Sequence, residues 1–328
     1  MTRIAVTGAN GFIGRALITE LLKIPRIRVV AVSRNPDSVP LHANISVCSW
    51  DKCLSESSHE DHPLVNCDCV IHLAGLAHAS AVDANDAPDV YRLVNVDGTR
   101  LLARRAVESK VRRFIFVSSI KVNGENTKPG QPFSADSEPC PEDEYGRSKL
   151  DAELALQEIG QASDLEFTII RPVLVYGVDV KANFRELMIW AIRGVPLPFK
   201  SISNKRSFIA LDNLIDLIIH CLDHPAAANQ VFLASDGEDL STPELIKRLA
   251  EAAGRPARLF PVPIGLLGLL ARLTGRGSVM KRLAGSLQVD GQETRRRLGW
   301  NPPLLIDQAL REAAEAYLNE INGKGGSK

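Results

Sequence analysis

The sequence predicts an α/β protein: a doubly wound parallel sheet joined to a smaller, mostly helical lobe. Three observations carry that prediction. A strand, a glycine turn and a helix follow one another from Arg3 to Leu22. Short apolar runs then alternate with helical patterns, the signature of βαβ crossovers. After Tyr176-Gly177 the texture changes to helices separated by proline and glycine signals.

Ile4, Ala5 and Val6 form the apolar run expected of a strand buried on both faces. Gly8, Gly11 and Gly14 follow at three-residue spacing, and Phe12, Ile13, Ala16, Leu17 and Leu21 recur with helical period. That layout turns backbone N–H groups and a helix N-terminus toward a phosphate. Gly8 suits a tight turn, Gly11 a close approach of pyrophosphate to the backbone, and Gly14 close packing of helix on strand. The spacing is G-x-x-G-x-x-G rather than the G-x-G-x-x-G fingerprint, so an ordinary glycine-rich turn is the competing reading. Dinucleotide binding is favoured, with Asn10, Phe12 and Ile13 among its contacts.

Further strands are expected at Val29 to Val32, near Ile45 to Val47, at Val70 to Leu73, Phe114 to Val117, Glu166 to Ile170 and Val231 to Ala234. Helical patterns separate them, notably Tyr91 to Ser109 and Tyr145 to Ile159. Ligands on such a sheet bind beyond the carboxyl ends of its strands, so those ends are where function is read. The dinucleotide-binding domain is assigned to 1–177 with about 206–234, and the substrate lobe to 178–205 with 235–321. Within the lobe, helices are expected from Asn183 to Arg193 and from Leu305 to Ile321, and 322–328 reads as a disordered tail.

Apolar residues make up 45% of the chain and charged residues 24%, the balance of a globular protein with a sizeable core. A formal net charge of zero argues against a general nucleic-acid or anionic-membrane binder. Arg3 begins a folded element almost at once, so no secretory leader and a cytoplasmic location are expected. The apolar stretch Pro261 to Leu270 is too short to span a bilayer. A buried or interfacial helix is expected there, with peripheral membrane contact as the alternative. The six cysteines form no C-x-x-C pair and the seven histidines no ligand spacing, so neither disulfides nor a metal site are expected.

Ser118 and Ser119 stand at the fifth strand end, and Tyr145 and Lys149 lie four residues apart on one helical face. A lysine ammonium beside a phenol favours the phenolate, so Lys149 is expected to lower the Tyr145 pKa and make it an acid or base near neutrality. With a serine hydroxyl on the same substrate oxygen, this is a proton relay between carbinol and carbonyl. A non-catalytic dinucleotide sensor would keep the glycines and lose the tyrosine–lysine pair; both are present.

With these motifs the sequence resembles the extended short-chain dehydrogenase/reductase family of nucleotide-sugar epimerases, dehydratases and ketoreductases, along nearly its whole length. The resemblance implies a Rossmann-like domain and places catalysis on Ser119, Tyr145 and Lys149. It puts Leu73, Ala74, Gly75 and Asn95 beside the cofactor, with Tyr145, Lys149 and Pro172 also touching it. Arg171-Pro-Val-Leu-Val-Tyr-Gly177 looks like the family's segment at the substrate edge. Substrate contacts fall to Ser119, Lys121, Asn183, Arg206 and Asp290. Two departures stand out: Asn123 replaces a tyrosine common after the fifth strand, and no R-P-G-D-like segment follows Leu283, leaving Arg282 as the nearest second arginine. The bacterial branch it resembles acts on UDP-N-acetyl-amino-sugars. A 4-ketoreductase forming UDP-N-acetyl-quinovosamine for surface polysaccharide is therefore the expectation, a UDP-sugar 4-epimerase the alternative. A homodimer is expected through a four-helix contact. At the end of the second strand Ser33 and Arg34 stand where a carboxylate would accept the ribose of NAD. Without that repulsion, and with a cation able to pair with a 2′-phosphate, NADP(H) is favoured and NAD(H) allowed.

Overall fold

A computed structural model describes residues 2–56, 61–76 and 87–325. Seven strands form one sheet: β1 (Thr2–Thr7), β2 (Ile27–Ser33), β3 (Ile45–Ser49), β4 (Cys69–His72), β5 (Arg113–Val117), β6 (Glu166–Pro172) and β9 (Gln230–Ala234). Their order is β3-β2-β1-β4-β5-β6-β9 and every pairing is parallel. All seven fall on apolar runs visible in the sequence. The order reverses between β1 and β4, and this switch point opens the crevice where ligands of such sheets bind.

Alternate residues of each strand enter different cores. Ile4 and Val6 pack with Leu17, Ile18 and Leu21 of α1 (Phe12–Leu22). Ala5, Val30 and Val32 pack instead with Leu102, Ala103 and Ala106 of α4 (Gly98–Glu108) and with Ala152 and Leu156 of α5 (Glu144–Gln161). On the same side as α4 and α5 lie α2 (Trp50–Leu54), whose Cys53 enters that core, and α3 (Ala87–Tyr91), whose Tyr91 ring meets Tyr145 of α5. The expected helix from Tyr91 to Ser109 is not uniform: residues Arg92–Asp97 form a π-helical turn between α3 and α4.

The second lobe has its own core, built on α6 (Ala182–Ile192), α8 (Thr242–Ala252) and α12 (Ile306–Gly325). A separate three-stranded sheet is ordered β10-β8-β7, from β7 (Leu174–Tyr176), β8 (Arg206–Ala210) and β10 (Asp239–Leu240). Its Tyr176, Phe208, Ala210 and Leu240 enter this core and its Ile209 the core of α1. Strands this short leave no periodicity to read. The remaining helices are α7 (Leu211–His220), α9 (Ile264–Leu273), α10 (Gly277–Ala284) and α11 (Gln292–Leu298). Helix α12 continues to Gly325, into the stretch read as a disordered tail, because extending an existing helix costs far less than starting one. Residues 326–328 lie outside the described ones. The stretch expected as a buried or interfacial helix is α9, whose leucines are mostly exposed. No described helix is long and apolar enough to cross a membrane.

Candidate active site

Three cavities run in series along the carboxyl ends of the strands. The first, about 340 Å³, is lined by Gly8, Asn10, Gly11, Ser33, Arg34, Leu73, Ala74 and Gly75. The second, about 720 Å³, shares Leu73 and Gly75 with it and adds Ile13, Ser118, Ser119, Lys121, Tyr145, Lys149, Pro172 and Arg282. The third, about 110 Å³ and mostly apolar, shares Leu174 and Arg282 with the second and adds Asn183 and Arg206.

Backbone crowding shapes the first cavity. Gly8 has φ +68°, and a Cβ there would lie 2.9 Å from the Ala74 nitrogen. A Cβ on Gly14 would collide with the Gly8 carbonyl oxygen, and one on Gly11 would come within 3.1 Å of that same atom. Gly14 is buried in this packing and Phe12 begins α1 beside it. The turn after β4 is fixed from β1: Thr7 Oγ1 accepts from the Leu73 and Ala74 N–H groups, each at 3.2 Å, and meets His72 Nδ1 at 2.6 Å. The His72 ring stacks between Trp50 and Phe116. Burial, with Lys149 nearby, holds its pKa well below the ordinary value, so it is neutral. Asn10 Nδ2 donates to Ser33 Oγ at 2.6 Å and to the Asn35 carbonyl at 2.8 Å, clamping the end of β2. Arg34 is exposed beside it, and among the described residues no carboxylate lines this cavity. A main chain cleared of side chains at a helix N-terminus is what a dinucleotide phosphate requires, and the residues present fit such a group.

The second cavity is organised by α5. Asp143 caps this helix, its Oδ1 accepting from the Gly146 N–H at 2.7 Å. Its Oδ2 accepts from Lys121 Nζ, and Lys121 also pairs with Glu125 at 2.6 Å. The first turn of α5 is thereby tied to the segment after β5, which places Tyr145 opposite Ser119. The Ser119 hydroxyl accepts from the Lys121 N–H at 3.2 Å and lies close enough to the Tyr145 phenol to pull its pKa down. The Tyr91 ring stands 6.2 Å from the Tyr145 ring. Ser118 Oγ is buried with no partner among the described residues, leaving one unsatisfied hydroxyl in the lining.

Burial pushes the Tyr145 phenol up to about 12; Ser119 opposes the rise, while Asp143 and Tyr91 add to it. The expectation that Lys149 lowers this pKa does not hold in this structure. Lys149 Nζ donates to the Val117 carbonyl at 3.0 Å, lies 4.4 Å from the centre of the Phe116 ring, and is itself pushed down to about 8 by burial. The shared helical face brings the two side chains within one turn. The amine, however, is drawn down to the strand carbonyl and gives the phenol little field. Its nitrogen instead sits beneath Gly75, where a Cβ would meet it at 3.3 Å.

Asn95, on the π turn, is buried and grips the segment after Gly75: its Oδ1 accepts from the Leu76 N–H at 2.7 Å, and its Nδ2 donates to Ser148 at 2.9 Å. Arg171 and Glu153 form a buried ion pair under α5, with contacts from 2.5 to 3.2 Å. Asn123 Oδ1 accepts from Arg171 Nη1 at 3.1 Å, which explains the departure at that position.

Beside the third cavity, Arg206 Nη1 donates to the Arg282 and Gly285 carbonyls at 2.8 and 3.1 Å, and burial lowers its pKa. Asn183 is exposed at the rim of the third cavity. Asp290 does not join the others. It is exposed, lines none of the three cavities, and accepts from the Gln292 N–H at 2.9 Å ahead of α11. The cause is alternation: Leu287, bridged to Arg206, and Val289, bridged to Phe133, are buried, so the Asp290 side chain turns outward while its N–H still donates to the Phe133 carbonyl at 2.8 Å. Thr7, His72, Asp143 and Glu153 were not singled out from the sequence. Only Asp143, an acidic residue just before a helix, left a readable signal.

The chain is 43% identical to a UDP-glucose 4-epimerase of Vibrio cholerae, over 97% of this chain and 96% of that one. It is 26% identical to an N-acetyl-alpha-D-glucosaminyl-diphospho-ditrans,octacis-undecaprenol 4-epimerase of Escherichia coli O157:H7, over 94% and 92% of the two chains. Its fold matches a UDP-glucuronic acid 4-epimerase from Bacillus cereus in complex with UDP-glucuronic acid and NAD, with TM-score 0.77, 21% identity, and 98% and 100% of the chains covered. Residues 4–234 match the model of the NAD dependent epimerase/dehydratase family, and the chain belongs to that family.

Proposed function

We propose that the chain is an NAD(P)-dependent oxidoreductase acting at C4 of the sugar in a UDP-linked sugar nucleotide. The observation that carries this reading is one cavity holding Ser119, Tyr145 and Lys149, open to the glycine turn at one end and to Arg282 at the other. The glycine turn, Asn10, Ser33, Arg34 and residues 73–75 would hold the dinucleotide, whose nicotinamide supplies or takes up the hydride when bound. Tyr145 exchanges a proton with the C4 oxygen, and Ser119 donates a hydrogen bond to the same atom. Lys149, beneath Gly75, faces the ribose position. Asn183, Arg206 and Arg282 hold the diphosphate by charge and hydrogen bonding. Leu93 and Leu154, 66% and 53% exposed on the helical layer around α5, support a homodimer through those helices.

Between the two C4 reactions, reduction of a UDP-4-keto-6-deoxy-N-acetylhexosamine is the reading we favour, forming UDP-N-acetyl-quinovosamine for surface polysaccharide. One feature supports it: among the described residues the Ser33–Arg34 corner has no carboxylate to repel a 2′-phosphate. The second reading, a 4-epimerase that keeps its NAD, rests on the 43% identical relative. The test offers the 4-keto sugar nucleotide with NADPH or NADH, and UDP-glucose with no added cofactor. Reduction by NADPH is expected, with NADPH binding about tenfold tighter than NADH and Arg34→Ala erasing that preference. Bound NAD in the purified chain, with C4 inversion of UDP-glucose, would replace the first reading by the second.

A further inference from the structure

Helix α9 turns an apolar face to solvent. Leu267 is buried, while Leu266, Leu269, Leu270 and Leu273 are 48%, 55%, 50% and 76% exposed. Their spacing sets them in one stripe along the helix. Phe260 and Ile264, each 44% exposed, extend the patch toward the preceding segment. Single exposed leucines are ordinary on a protein surface, but a contiguous stripe marks a contact surface.

The charge around this stripe is one-sided. From Ala252 to Val289 there is no Asp or Glu, while Arg255, Arg258, Arg272, Arg276, Lys281 and Arg282 all occur, in a chain whose formal net charge is zero. All of these cations are exposed. Lys281 is paired with Glu142; no ion pair to the other five forms among the described residues. Lys200 adds a further exposed cation at the edge, its N–H donating to the Phe260 carbonyl at 3.3 Å.

We propose that this face docks on an anionic phospholipid bilayer, with the α9 stripe entering the acyl boundary and Arg272 and Arg276 at the headgroups. Ten residues cannot span the bilayer, but a short apolar face flanked by cations is the chemistry of an interfacial helix. Charge decides against a second copy of the chain as the occupant. Two such faces brought together would oppose segments that carry six cations and no acid of their own. Arg282 belongs to the same stretch and lines the catalytic cavity, so docking holds the substrate mouth close to the headgroups. Docking of this face is independent of which C4 reaction the site performs.

The test is co-sedimentation of the full-length chain with vesicles of phosphatidylcholine alone or mixed with phosphatidylglycerol. Recovery with the anionic vesicles should exceed that with neutral ones by about tenfold at low salt, and fall as salt screens the headgroups. Leu269→Glu/Leu273→Glu should remove the apolar contribution and Arg272→Glu/Arg276→Glu the electrostatic one, each lowering recovery by about tenfold. Leu41→Glu, at a side chain 96% exposed elsewhere, should leave recovery unchanged. Unchanged unfolding midpoints would show that the variants are folded. Wild-type chain left in the supernatant with anionic vesicles at low salt overturns the proposal. So does a lipid-free self-association, seen by sedimentation velocity, that Leu269→Glu/Leu273→Glu abolishes; the face would then belong to a second copy.

Discussion

At the glycine-turn end of the cleft the walls are main chain: Gly8 and Gly14 leave no room for a Cβ, and Thr7 pins the Leu73–Ala74 turn by its hydroxyl. At the Arg282 end the walls are side chains from α6, β8 and α10, brought together from positions far apart in sequence. One end is specified by what is missing from the backbone, the other by long side chains whose tips converge. The first tolerates almost no substitution at its glycines. The second can change its ligand by changing a side chain, which is how one fold serves many substrates.

Four measurements would break or sharpen that contrast. The largest effect is expected where the two ends meet. Tyr145→Phe should lower turnover by about 10²–10⁴-fold, the usual worth of a positioned general acid, while dinucleotide affinity is nearly unchanged. Near-normal turnover would remove Tyr145 from the chemistry. Gly14→Ala should lower stability by at least about 1–3 kcal/mol, as overpacking does, and weaken dinucleotide binding with it, because the clash is with backbone. A variant with wild-type melting and wild-type affinity would show that this end is not shaped by close packing. Arg282→Ala should raise the KM for the sugar nucleotide by about tenfold, the loss of one charge-assisted contact, with dinucleotide affinity untouched. A change in both would mean that the two ends are coupled.

The smallest effect concerns pH. Burial lowers Lys149 from its ordinary 10.5 to about 8, so between those values the unfolded chain binds the extra proton. The Lys149 contribution to the stability of the ligand-free protein should therefore rise with pH across this window, by at most about 1.4 kcal/mol per unit. It does so against the opposite pull of Cys53, Cys67, Cys69 and Cys221, whose thiols burial raises so that the folded chain keeps protons the unfolded one releases. Above pH 10 the raised phenol of Tyr145 works the other way, since the folded chain keeps a proton that the unfolded one releases. Lys149→Met should lose that contribution, so its urea midpoints should slope more steeply downward between pH 8 and 9.5 than those of the wild type. An equal slope in both proteins would show that the amine is not desolvated in solution.

The same contrast decides what could be read in advance. Strands such as Val29–Val32 and Phe114–Val117 announce themselves because a strand buried on both faces is a continuous apolar run. Tyr145 and Lys149 were legible because helical period places them on one face. Their electrostatics were not, since the Lys149 amine is captured by a carbonyl of another element at Val117. Asp290 was misplaced because a two-residue alternation in an irregular bridge decides which way it points. The Thr7–His72 link joins positions 65 apart and has no local pattern at all.

The π turn at Arg92–Asp97 sets a limit of another kind on this chain's history. Such a turn spends one more residue on its rise than an α turn does. Deleting one residue just before Asn95 would let α3 and α4 run on as one regular helix, yet rotate α3 by about 100° against α4. Asn95 would keep Ser148, but Tyr91 would swing off the Tyr145 ring that it now faces at 6.2 Å. This segment can exchange many of its side chains and still serve the site; it cannot change its length.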